Sequence, residues 1–156
     1  MNVFEEAKQL SRVPLFAGLD SAKLKLLAFT SEQIQFTDGE YLFHLDDPSD
    51  SVYLLLKGVM QIVVEHKDGQ VEVILDRHQN DLIGEMGVIS NTPRSASIRA
   101  QGEAVVLRIE ADAFMSLLTE NASMSLFVMR ELSERLNTYV AREREQTLEQ
   151  AANSSD

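Results

Sequence analysis

The residues best suited to hold an anion lie together, in the stretch Leu-Ile-Gly-Glu-Met-Gly-Val-Ile-Ser-Asn-Thr-Pro-Arg-Ser-Ala-Ser-Ile-Arg-Ala that runs from Leu82 to Ala100. Glu85 to Ile89 has room for about one helical turn directly after Gly84. A turn that opens behind a glycine leaves backbone N–H groups free and pointing outward. The loop Asn91-Thr92-Pro93 then delivers Arg94 at the start of a following strand. Arg94 brings a guanidinium fork and Ser95 a hydroxyl donor. Glu85 only accepts, so it suits a sugar hydroxyl rather than a phosphate. Gly84 and Gly87 let a ligand come close to the backbone. Together these groups describe a phosphate-plus-ribose cassette.

The elements around it must position those groups. Met1 to Thr30 reads as two short helices. In the first, Phe4, Ala7 and Leu10 recur at helical spacing before Pro14. The second opens after Gly18-Leu19-Asp20-Ser21 and carries Leu24, Leu26, Leu27 and Phe29. From Glu32 to Ile109, short β-branched and aromatic runs alternate with turns: Ile34–Phe36, Tyr41–Phe43, Val52–Leu56, Met60–Val64 and Val71–Leu75. Lys67-Asp68-Gly69 predicts a hairpin, and Gln101-Gly102 predicts another between Ser95–Ala100 and Ala104–Ile109. About eight short strands in this pattern point to an antiparallel barrel or jelly roll. Beyond Asp112 the chain reads as helical. Leu126, Met129, Leu132, Leu136 and Tyr139 step along one stripe of a helix from about Asn121 to Ala141. Residues 1–141 thus form one domain, and 142–156 a charged helix end and a disordered tail.

Composition limits the chemistry. The 156 residues hold 14 Lys and Arg against 25 Asp and Glu, a net charge of −11, with 44% hydrophobic residues. Such a chain builds a core but repels polyphosphate surfaces, so neither nucleic acid nor an anionic membrane is its expected partner. The absence of Cys removes disulfides, thiolate metal sites and a Cys nucleophile. The N-terminus has no secretory pattern and no apolar run is long enough for a membrane span, so a soluble, cytoplasmic setting is expected. His44, His66 and His78 lack ligand spacing, and Asp76-Arg77-His78 has no nucleophile beside it.

With its glycines, acid and loop, the cassette resembles the phosphate-binding segment of cyclic nucleotide-binding domains, which occur in the catabolite activator protein, protein kinase A regulatory subunits and cyclic nucleotide-gated channels. Pro14–Leu19, Asp38-Gly39-Glu40, Asp47-Pro48, Asp50–Tyr53 and Gly58 are similar to the family's early elements. The resemblance implies a β jelly roll with short N-terminal helices and a long C-terminal helix, mainly β with flanking α.

It also implies roles for residues. Glu85 takes the ribose 2′-hydroxyl, and Gly84 and Met86 present backbone N–H groups. Arg94 pairs with the cyclic phosphate, Ser95 adds a second donor, and Ala96 completes the motif. Arg135 reaches back toward the ribose-binding acid, and Tyr139 lies in the helical stretch that meets the purine. From the residues alone, Arg135 reads equally as an intrahelical partner of Glu131. Asn80 and Asp46 stand where the family often has glycine; both types tolerate a left-handed backbone.

The function implied is a stand-alone, non-enzymatic regulatory module. It binds cyclic AMP, with cyclic GMP left open by Ser95, uses no metal, and signals through its C-terminal helix. That helix is the expected homodimer seam, and an unidentified protein effector the expected target. No helix-turn-helix pattern follows Arg142, so DNA binding is not expected. The alternative is a jelly-roll dimerisation protein without a ligand. A cupin-type enzyme would need paired His ligands that this sequence lacks.

Overall fold

A computed structural model describes residues 1–154. Two helices, α1 (Val3–Leu10) and α2 (Ser21–Thr30), are joined through a single 3-10 turn at Pro14–Phe16. Asn2 and Asp20 cap them by accepting from the backbone N–H groups of Glu5 and Lys23. Six strands follow: β1 (Glu32–Phe36), β2 (Tyr41–Phe43), β3 (Ser51–Glu65), β4 (Val71–Arg77), β5 (Leu82–Ile83) and β6 (Ser97–Glu110). The short helix α3 (Glu85–Ser90) interrupts them before β6. Helices α4 (Ala111–Glu120) and α5 (Ala122–Ser154) close the described chain.

The long strands β3 and β6 pair antiparallel along their length, and each serves two sheet halves. The C-terminal half of β6 pairs with β1 and its N-terminal end with β2, while the first half of β3 pairs with β5 and the second with β4. Two four-stranded faces result, β1-β6-β3-β5 and β2-β6-β3-β4, which is the jelly roll.

The corner between them corrects the sequence reading. Gln101-Gly102 is not a hairpin: β6 runs straight through it, and β3 runs through Gly58 in the same way. Pairing shifts register between Leu55 and Val59, where Gly58 has φ +93°. A β-carbon at Gly58 would lie 2.4 Å from the Glu103 carbonyl oxygen and 2.9 Å from Ala104 Cα. Gly58→Ala is therefore expected to cost about 2–3 kcal/mol of folding stability, read by urea unfolding. A loss below about 0.5 kcal/mol would contradict this role for the corner.

Alternation along β3 divides the core. Tyr53, Leu55 and Met60 face the barrel interior with Phe43, Ile83, Ile98 and Val106. Val52, Leu54 and Leu56 face outward, where Leu10, Phe16, Leu27, Phe114 and Met124 of the helices cover them. Phe16 meets Phe114 edge-on, with ring centroids 6.5 Å apart.

The C-terminal helix departs from expectation in its length. It continues through Arg142 to Ser154, past the point where a charged end gives way to a frayed tail in the sequence reading; Ser155 and Asp156 lie outside the described residues. Only Met124 on it is buried, while Met129, Leu132, Leu136 and Tyr139 are exposed. The stripe is real, but the barrel does not cover it. No helix among the described residues is long and apolar enough to cross a membrane.

Candidate functional site

The cassette begins at Gly84, the residue before α3, with φ +82°. That left-handed step turns the chain from β5 into the helix, and Asn91 (φ +53°) ends it the same way. Asn80 (φ +73°) and Asp46 (φ +72°), where the family often has glycine, do adopt left-handed backbone. Arg94 is pinned at its backbone. Its N–H donates to the Asp47 carbonyl (2.8 Å), and its carbonyl accepts from the Asp46 N–H (2.9 Å). Behind α3, Ser49 donates to the Thr92 carbonyl at 2.6 Å. A β-carbon on Gly87 would lie 2.4 Å from Ser49 Oγ. The turn before the cassette is tied to α1, since Gln9 Nε2 donates to the Leu56 carbonyl (3.0 Å) and to Asn80 Oδ1 (3.3 Å).

These elements enclose a cavity of about 360 Å³, within the usual range for small-molecule sites. Gly84, Glu85, Met86, Arg94, Ser95, Ala96 and Arg135 all line it, so seven of the eight residues expected from the sequence meet there. Tyr139 does not. It lines a separate shallow depression with Glu134, Thr138 and Arg142, and is 60% exposed. No ion pair joins Arg135 to Glu131 among the described residues, so the intrahelical reading of Arg135 is not the one adopted.

Arg94 differs from the free fork expected. It is only 3% exposed. Nη1 donates to the Gly84 carbonyl (2.9 Å) and Nη2 to the Ser51 carbonyl (2.6 Å). The guanidinium lies over the Phe43 ring, 4.1 Å from its centroid, and 5.9 Å from that of Tyr53. Asp50 Oδ1 is 4.0 Å from Nη2, at the limit of ion-pair range, and Asp50 also reaches Arg108 at 3.6 Å. Burial pulls the Arg94 pKa below the ordinary arginine value, against the pull of Tyr53, Asp50 and Asp47. Its Nε is buried without a partner. A buried cation with one unmet donor is only partly compensated, and an anion would complete it.

Phe43, Ser51 and Asp50 escaped the sequence reading because their contacts with Arg94 span more than forty residues. Arg77 escaped too, although it lines the cavity. Strand alternation up to the end of β4 is the signal that finds it. Asp76 and His78 form no bond with each other among the described residues; the His78 N–H donates to Asp81 Oδ2. Among the described residues no group of three or more His, Cys, Asp or Glu is placed to hold a metal.

A family model described as the cyclic nucleotide-binding domain matches residues 33–121, which span the barrel and the whole cassette. The chain belongs to that family. An uncharacterized NTE family protein of Mycobacterium tuberculosis is 32% identical over 127 residues, 81% of this chain and 21% of the relative. The cAMP-dependent protein kinase regulatory subunit of Emericella nidulans is 33% identical over 109 residues, 70% of this chain and 26% of that one. This cyclic nucleotide-binding domain therefore spans about a fifth to a quarter of the length of those relatives. Among solved structures, the sensor domain of the transcriptional regulator DNR from Pseudomonas aeruginosa superposes with a TM-score of 0.79 at 23% identity. It covers 86% of this chain and 90% of its own. The jelly roll, the flanking helices and the regulatory character of the family follow from these matches.

Proposed function

We propose that this domain is a cyclic AMP-sensing regulatory module, not an enzyme, which signals by moving α5 against the barrel. One observation carries the reading: Glu85, the under-compensated Arg94 and Arg135 of α5 border a single cavity. The cyclic phosphate answers Arg94 and Ser95, and the ribose 2′-hydroxyl answers Glu85. Gly84 and Met86 supply backbone N–H groups. The kinase regulatory subunit among the relatives supports cyclic AMP as the favoured nucleotide. The Ser95 hydroxyl keeps cyclic GMP within reach, because it can also meet a guanine amino group.

A ligand shifts a conformation only by contacting one state better than another. A nucleotide that touches both the cassette and Arg135 favours the state with α5 over the cavity. Saturating cyclic AMP should slow hydrogen exchange in residues 84–96 and 122–141; identical exchange with and without nucleotide would refute the signalling route.

The stripe Met129, Leu132, Leu136 and Tyr139 is 40–61% exposed at 3–4 spacing, which suits a seam with the same helix of a second copy. Sedimentation should show a concentration-dependent dimer. A monomer at high concentration, with and without nucleotide, would rule the seam out.

A further inference from the structure

Helix α2 is apolar on two sides. Leu24, Leu27 and Ala28 are buried in the core, while Leu26 and Phe29 point outward, 63% and 75% exposed. A helix that is apolar all round is ordinarily covered on both sides. Phe4 of α1 extends the outward surface at 70% exposure. The Lys25 ammonium lies 5.4 Å from its ring centroid, and Lys25 precedes Phe29 by one helical turn. Beside this face, α2 and α4 leave a groove of about 320 Å³, lined by Leu26 and Leu27 on one side and by Ala113 and Leu117 on the other. Lys23 Nζ donates to Asn121 Oδ1 at 2.7 Å, so the start of α2 meets the end of α4.

Charge decides what covers this face. The chain carries −11 overall, but α2 has Lys23 and Lys25 and no acid, and Lys8 stands one turn beyond Phe4 on α1. None of the three lysines has an ion pair among the described residues, and Glu120 is the one carboxylate lining the groove. An apolar face beside lysines, in an otherwise acidic domain, suits a partner of the opposite pattern. A second copy does not suit it, since a two-fold contact would set Lys23 and Lys25 against the same lysines. An anionic lipid surface suits it poorly, because the field of the whole chain repels it and a flat surface leaves the groove unfilled. A helix with apolar residues at i, i+3, i+4 and i+7 and acids beside them fills the groove and meets the lysines.

We propose that the outward face of α1 and α2, with the groove between α2 and α4, is a docking surface for an acidic amphipathic helix of a partner protein. The groove shares no residue with the nucleotide cavity, so this surface stands independently of the cyclic nucleotide reading.

The probe is a labelled synthetic helix with leucine at i, i+3, i+4 and i+7 and glutamate elsewhere, titrated with the intact chain by fluorescence anisotropy. Its counterpart carries lysine in place of each glutamate. The net charge of the chain favours the basic helix everywhere else, so a preference for the acidic one reports this face. Wild type should bind the acidic helix saturably and about tenfold tighter than the basic one. Leu26→Ser and Phe29→Ser alter exposed side chains, and each should weaken the acidic helix about tenfold. Met129→Ser, on the exposed stripe of α5, should not weaken it. Lys23→Glu combined with Lys25→Glu should reverse the preference toward the basic helix. No saturable binding of the acidic helix at millimolar protein, or binding indifferent to Leu26, Phe29 and the two lysines, overturns the proposal. A dimer in sedimentation that Leu26→Ser abolishes would instead assign the face to a second copy. Binding to vesicles of phosphatidylcholine and phosphatidylserine that Leu26→Ser abolishes would assign it to a membrane. Each of these results leaves nucleotide binding to be judged by its own titration.

Discussion

Arg94→Ala is expected to weaken cyclic AMP binding by more than a hundredfold and to lower folding stability as well. Hydrogen bonds to charged groups contribute about 1.5–3 kcal/mol each, so losing a two-pronged contact costs about 3 kcal/mol or more. The stability loss has a separate origin. Arg94 also holds the Gly84 and Ser51 carbonyls and covers Phe43, so its removal leaves two acceptors unmet and a void beside the ring. Arg94→Lys should recover little, because an ammonium on a flexible stem is a point charge that cannot span both carbonyls and still meet a phosphate. Glu85→Gln should be mild, since an amide oxygen still accepts from the ribose hydroxyl. Calorimetry on variants shown to be folded by circular dichroism checks all three. Arg94→Ala binding within threefold of wild type would remove the cassette from the account.

Gly84→Ala is expected to damage binding almost as much, although it removes no charged group. A left-handed backbone costs a residue with a β-carbon about 1–2 kcal/mol. The larger effect is steric, since that carbon would lie 2.3 Å from Arg94 Nη1 and 3.1 Å from Cζ, so the guanidinium must leave its place. Gly69→Ala is the control. Gly69 has φ +87° but open space around its missing side chain, so only the strain applies there. Cyclic AMP affinity should fall at least tenfold more in Gly84→Ala than in Gly69→Ala. Equal affinities would mean that the position of Arg94 does not matter to the ligand.

The site was legible in the sequence to the extent that its chemistry is local. Glycine, acid, loop and arginine follow one another within a dozen residues, and the turn geometry of Gly84 and Asn91 follows from residue type. Left-handed Asn80 and Asp46 were legible for the same reason. The corners at Gly58 and Gly102 were not, because a glycine with positive φ looks the same in a hairpin as in a strand that bends around a barrel. The pairing of β3 with β6 along both halves decides between them, and it is set by contacts far apart in sequence.

The same limit hid the state of Arg94, whose partners Ser51 and Phe43 come from other strands. Tyr139 fails to reach the cavity for a geometric reason. Four residues past Arg135 it sits about 6 Å further along the helix axis, beyond the rim that Arg135 touches. Helical spacing revealed the apolar stripe of α5 but carried no information about what covers it.

Titration calorimetry of the wild-type chain with cyclic AMP, with 5′-AMP as the comparison, tests the central claim most directly. For a compact, singly charged cyclic phosphate the cassette offers one buried guanidinium, and the proposed reading gives the carboxylate of Glu85 to the ribose. The account predicts saturable binding of about one cyclic AMP per chain, with 5′-AMP weaker by at least tenfold. No saturable binding of cyclic AMP to the folded chain at millimolar concentration, or equal affinity for 5′-AMP, would contradict it.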